Sequence, residues 1–119
     1  ILTIPTDVTD PGSVESAVRR CEQDLGPIDR VYNAAAIMPT GLLMDQDVSI
    51  IQKIMDINYG GVVNITKFAL PGMLERGRGD FINFASMAGW VPIMYLGAHN
   101  ASKFAVVAFA EFLYHENRG

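Results

Sequence analysis

Apolar residues at Val14, Ala17, Val18, Cys21 and Leu25 recur every three or four positions, the period of a helix with one buried face. Asp10 is suited to cap its start, Pro11 to its first turn, and Gly26-Pro27 ends the run. Ahead of it, residues 1–6 are short, apolar and β-branched and read as a strand, followed by the loop chemistry of "TDVTDPGS". "IDRVYN" reads as a second strand and "AAAIMPTGLLMDQD" as a connecting loop. From about Val48 a long helical stripe runs through Ile51, Ile54, Met55, Val62, Ile65 and Ala69, weakened at Pro71-Gly72. "ERGRGD" reads as a turn, "FINFAS" as a third strand, "MAGWVPIMYLG" as a long loop, and "NASKFAVVAFAEFLYHE" as an amphipathic helix ending at Glu116.

The predicted order is therefore β-α-β-α-β-α, which implies part of an α/β, doubly wound, parallel-sheet (Rossmann-like) domain. In such sheets the loops leaving the carboxyl ends of strands share one edge, where ligands bind. Three of these loops, "TDVTD", "NAAAI" and "ASMAG", carry small or polar residues. A chain of 119 residues suffices for one core and not for two. A net charge of −4 gives no electrostatic footprint for nucleic acid. A single cysteine, Cys21, excludes an internal disulfide and fits a reducing, cytoplasmic setting. No apolar stretch reaches membrane-spanning length, so no membrane partner is expected, and no metal-ligand motif stands out.

Taken together, these segments resemble the short-chain dehydrogenase/reductase family. "DVTD" is similar to its segment after the third strand, which implies that Asp7 contacts adenine and Val8 packs against it. "NAAA" stands where the family has Asn-Asn-Ala-Gly. Asn33 and Ala35 match, whereas Ala34 and Ala36 depart, and Asn33, Ala34 and Ala35 become cofactor-binding candidates. "DINYGG" resembles the helix segment that supplies the tetrad asparagine, Asn58, and "INFASMAG" the strand end that delivers the catalytic serine, Ser86. "HNASK" stands where the family has Tyr-x-Ala-Ser-Lys, thirteen residues after Ser86 as usual, with Lys103 in its place and His99 where tyrosine is expected. The resemblance implies hydride transfer between NAD or NADP and a small-molecule alcohol or carbonyl compound. Asn58, Ser86, His99 and Lys103 would be catalytic, and Lys103 would also hold the cofactor ribose. It further implies a homodimer or homotetramer formed through the long helix and the last helix.

Each residue also has a plainer reading. Asn58 lies on an apolar stripe and could be a satisfied core amide. Ser86, Asp7 and Asn33 suit turns and strand ends, and Tyr95 breaks the spacing needed to replace the tyrosine. The loop bearing Trp90, Met94 and Tyr95 would cover an apolar substrate, or fold onto the core or onto a partner subunit. For His99 the chemistry itself changes. Positive neighbours favour neutral imidazole, a poor acid for carbonyl reduction that can still accept a proton in alcohol oxidation. Two functions therefore stand: an NAD(P)-dependent oxidoreductase, and a weakened or inactive pseudoenzyme that binds nucleotide or a partner. The family's glycine-rich phosphate turn and its NAD- or NADP-selecting residue have no counterpart here. Residues 1–119 thus read as the central portion of one NAD(P)-binding domain, with N- and C-terminal parts absent and a sheet gapped beside residues 1–6. Such a piece is not expected to fold stably alone.

Overall fold

The computed structural model describes residues 1–118. Helix α1 spans Pro11–Leu25, strand β1 Arg30–Asn33, helix α2 Val48–Met55, helix α3 Gly61–Arg76, strand β2 Asp80–Asn83 and helix α4 Gly97–Asn117. A single π turn, Asp56–Gly60, joins α2 to α3, and a 3₁₀ turn, Met87–Gly89, precedes α4.

Helix α1 starts where its capping chemistry dictates. Asp10 Oδ1 accepts from the Gly12 N–H at 2.9 Å, Pro11 needs no N–H partner in the first turn, and Gly26 leaves the helix at φ 92°. Val14 is its buried anchor, and the helix packs on α3. The exposed face carries the i,i+4 pairs Glu15–Arg19 and Arg20–Asp24, each worth a few tenths of a kcal/mol, about 0.3–0.5.

Strands β1 and β2 are parallel neighbours, paired Arg30 to Asp80, Val31 to Phe81, Tyr32 to Ile82 and Asn33 to Asn83. An exposed ion pair, Arg30 Nη2 to Asp80 Oδ2 at 2.5 Å, marks their amino ends. The crossover between them is helical, α2 to α3, as a parallel pair requires. Their carboxyl ends bring Asn33 and Asn83 side by side and open into the two loops that carry most of the candidate site.

Two expectations are corrected. Residues 1–6 form no strand, because a strand needs a ladder and both described strands pair only with each other. The long helix, in turn, is not weakened at Pro71-Gly72. Helix α3 continues through Pro71 to Arg76, with Ala69 and Met73 buried on either side, and ends at Gly77 in the left-handed region. The irregularity lies earlier, at the π turn, where the Gly61 N–H reaches back to the Asp56 and Ile57 carbonyls. One extra residue in that turn rotates the helix face, so that Asn58, Gly61 and Val62 are all buried.

Candidate active site

The π turn delivers Asn58 to the interior, where it is fully buried. Its Oδ1 accepts from the Ile37 N–H at 2.8 Å, and its Nδ2 donates to the Ile37 carbonyl at 2.9 Å. The same Nδ2 donates to Ser102 Oγ at 3.0 Å and lies 3.3 Å from His99 Nδ1. One amide therefore ties the loop after β1 to the first turns of α4.

His99 and Lys103 lie one turn apart near the start of α4, 5% and 6% exposed. The His99 Nδ1 is also 3.2 Å from the Ile37 carbonyl. Lys103 Nζ donates to the Phe84 carbonyl at 2.7 Å, just beyond β2. Burial pushes the Lys103 ammonium below the ordinary lysine value. The Asn58 side chain does not reach Lys103; among the described residues its partners are Ile37, Ser102 and the edge of His99.

Ser86 sits in extended backbone after β2 and is exposed. Its Oγ accepts from the Ala88 N–H at 3.1 Å and caps the 3₁₀ turn, so the hydroxyl proton stays available to an outside acceptor. That turn is pressed against α4. A Cβ at Gly89 would lie 2.8 Å from Val107 Cγ2 and 3.1 Å from the Lys103 carbonyl oxygen, so only glycine fits. Trp90, Met94 and Tyr95 are 66%, 74% and 57% exposed, so these three side chains of the loop lie outside the core. Tyr95 has φ 65°, uncommon for an aromatic residue, and its carbonyl accepts from the Gly41 N–H at 2.9 Å.

The remaining candidates form a second cluster. Asp7 Oδ1 accepts from the Thr9 hydroxyl at 2.7 Å and from its N–H at 2.9 Å, which holds this exposed carboxyl below the ordinary range. Val8 is fixed from both sides: Asn64 Nδ2 donates to its carbonyl at 2.8 Å, and Gly61 leaves room for its side chain. Asp7, Val8 and Ala35 line one cleft of about 390 Å³ together with Lys53, Asp56 and Ile57. Ala34 is exposed beside it, and Asn33 is buried at the end of β1, its Nδ2 donating weakly to Asn83 Oδ1 at 3.4 Å.

Two residues of this arrangement escape sequence reasoning. Asn100 is buried, donates from Nδ2 to the Ala88 and Val91 carbonyls at 2.8 and 2.7 Å, and accepts from the Ile93 N–H, strapping the loop after Ser86 onto α4. Its signal was an asparagine wedged between a histidine and a helix-forming run. Ile37 contributes only backbone groups, and an apolar side chain gives no sign of them.

A parallel α/β pair with polar side chains gathered beyond its carboxyl ends defines a piece of a Rossmann-like domain. The short chain dehydrogenase family model matches residues 1–119, and the chain belongs to that family. It is 37% identical over 107 residues to mouse dehydrogenase/reductase SDR family member 7B, covering 90% of this chain and 33% of that protein. It is 37% identical over 116 residues to the inactive 2-(S)-hydroxypropyl-CoM dehydrogenase 2 of Xanthobacter autotrophicus, covering 98% of this chain and 50% of that one. Among solved structures, the apo form of LigO from Sphingobium superposes with a TM-score of 0.92 at 32% identity, over 96% of this chain and 43% of that one. The chain thus spans between about a third and a half of the lengths of these relatives. No described helix is long and apolar enough to cross a membrane.

Proposed function

We propose that the protein carrying these residues is an NAD(P)-dependent oxidoreductase acting on a small alcohol or carbonyl compound. One observation carries this reading. Asn58, His99 and Lys103 are buried together beyond the carboxyl ends of two parallel strands, with the exposed Ser86 on the loop that Lys103 grips. Family membership supports the reaction class.

The residues present fit a dinucleotide. Asp7 at the rim of the Val8–Ala35 cleft can accept from an adenine amine, and Ala35 leaves the cleft wall low. Asn33 Oδ1 is a buried acceptor without a partner among the described residues, at the strand end where a ligand's donors would arrive. The nicotinamide, when bound, exchanges a hydride with the substrate carbon. This chain's residues do the rest. Lys103, anchored by Phe84, has further ammonium protons to offer ribose hydroxyls. The Ser86 hydroxyl donates to the substrate oxygen, and His99 takes up the proton. The exposed Trp90 and Met94 favour an apolar substrate portion over that oxygen.

The competing reading is a nucleotide-binding protein without turnover. It rests on His99 standing where the family resemblance expects a tyrosine, and one relative of 37% identity is itself called inactive. Titrating the full-length protein with NAD and NADP, then assaying a panel of secondary alcohols, separates the two. Saturable binding with alcohol oxidation supports the oxidoreductase; binding without oxidation of any alcohol supports the alternative.

Half-buried Met55 at the end of α2, Tyr59 in the π turn and Phe109 in α4 line one apolar groove with the exposed Phe112. With the family's helix pairing, this supports a homo-oligomer built on that face.

A further inference from the structure

The hydrogen-bond donors around His99 can be counted, and the count fixes which ring nitrogen carries a proton. The Ile37 N–H is a donor, so the Asn58 atom 2.8 Å away must be its oxygen. Asn58 Nδ2 therefore faces the other three groups: the Ile37 carbonyl, Ser102 Oγ and His99 Nδ1. It has two hydrogens for three neighbours. The Ile37 carbonyl, at 2.9 Å, can only accept, and it takes one. Ser102 spends its own proton on the His99 carbonyl at 2.7 Å, so its Oγ can only accept, and it takes the other at 3.0 Å. Nothing remains for His99 Nδ1 at 3.3 Å. The Ile37 carbonyl, 3.2 Å from Nδ1, is an acceptor with a second lone pair. An unprotonated Nδ1 would face that oxygen lone pair to lone pair, while a protonated Nδ1 donates to it.

We infer that Asn58, Ile37 and Ser102 hold His99 as the Nδ1–H tautomer, so that Nε2 is the atom that exchanges a proton with substrate. Nε2 has no hydrogen-bond partner among the described residues. This deepens the oxidoreductase reading and rests on it for the identity of the proton donor. In alcohol oxidation the substrate O–H bond breaks and an N–H bond forms at Nε2. The carbon's hydride would pass to a bound oxidised nicotinamide, leaving a carbonyl compound, an imidazolium and the reduced cofactor. With the ring proton held at Nδ1, Nε2 is the base in oxidation, and the imidazolium it becomes is the acid in the reverse reaction. Ser102, Asn58 and Ile37 are positioning groups in this account, and none of them touches substrate.

The test reads nitrogen, not turnover. These 119 residues hold two histidines, His99 and His115, so in ¹⁵N-histidine-labelled full-length protein the His99 ring is assigned as the signal that disappears in His99→Gln. At roughly pH 9, where an unperturbed imidazole is neutral, long-range ¹H–¹⁵N correlation should show His99 with a protonated Nδ1 and an unprotonated Nε2. The reverse pattern overturns the inference. Ser102→Ala releases one Asn58 hydrogen, and a buried amide proton left unpaired is costly. That proton turns to Nδ1, and the His99 population should shift toward Nε2–H, whereas Ser102→Thr, which keeps the hydroxyl, retains the original tautomer. An unchanged tautomer in folded Ser102→Ala overturns the role given to Ser102. A protein that shows Nδ1–H yet binds neither NAD nor NADP overturns the oxidoreductase reading and, with it, the proton-acceptor role, while the tautomer assignment stands.

Discussion

His99 is held at its Nδ1 edge by the Ile37 carbonyl, with Asn58 alongside, so replacing it tests one atom against a fixed frame. A phenol in that place would be a proton donor, and positioned acids contribute roughly 10²–10⁴-fold to such steps. His99→Tyr in the full-length protein should therefore raise the kcat for carbonyl reduction by at least about tenfold, measured as NAD(P)H consumption. A folded variant with no gain would show that the histidine does not limit reduction. Lys103, one turn on, makes a separate prediction with a definite sign. Burial holds its folded-state value below the unfolded one, so between the two the unfolded chain binds more protons. Stability should then rise with pH across that interval and level off above the ordinary lysine value of about 10.4. Thermal melts of Lys103→Met should lack this rise. If wild type and variant respond identically to alkaline pH, the ammonium is not buried as described.

Among the elements, Val8 packs closely against the start of α3 beside the cleft proposed to take the nucleotide. A Cβ at Gly61 would lie 2.8 Å from Val8 Cγ2 and 3.1 Å from Val8 Cβ, and a β-branched side chain has little freedom to yield. Alanine gains about 1 kcal/mol of helix propensity over glycine, whereas overpacking costs about 1–3 kcal/mol. Gly61→Ala should therefore leave stability unchanged or lower it by up to about 2 kcal/mol in denaturant melts. It should also weaken NAD(P) affinity by displacing Val8, and unchanged affinity would detach Val8 from the cofactor cleft. How much was legible in the sequence follows from which signals are local. Helix α1 was readable to the residue, because Asp10, Pro11 and Gly26 each act within one turn. The π turn was not, since a single extra residue shifts the stripe without breaking its apolar character. Residues 1–6 have the composition of a strand, but strand formation depends on a partner that composition does not reveal. The site candidates were nameable because Asn58, Ser86, His99 and Lys103 keep a recognisable spacing. Their partners, the Ile37 backbone and Asn100, were not, because backbone groups are the same at every residue and an asparagine's contacts depend on the fold.

For the whole molecule, the apolar surface left outside is as informative as the core. The groove formed by Met55, Tyr59, Ala105, Ala108, Phe109 and Phe112 runs between the end of α2, the π turn and α4, and neither Asn58 nor His99 lines it. Tyr59 and Phe109 already pack edge-to-face, with ring centroids 5.9 Å apart, so the surface is a preformed platform rather than a set of loose side chains. Phe112, 68% exposed, extends it. An aromatic at the centre of a dry interface commonly costs about 2 kcal/mol or more when lost, and a carboxylate in its place adds desolvation. Phe112 makes none of the site's hydrogen bonds, so Phe112→Glu should leave NAD(P) affinity intact while shifting the full-length protein to a smaller assembly. Analytical ultracentrifugation reads the outcome directly. An unchanged sedimentation coefficient would mean that this face is not the subunit contact. A smaller assembly that has lost nucleotide affinity as well would mean that the platform supports α4 itself, and through α4 the placement of His99 and Lys103.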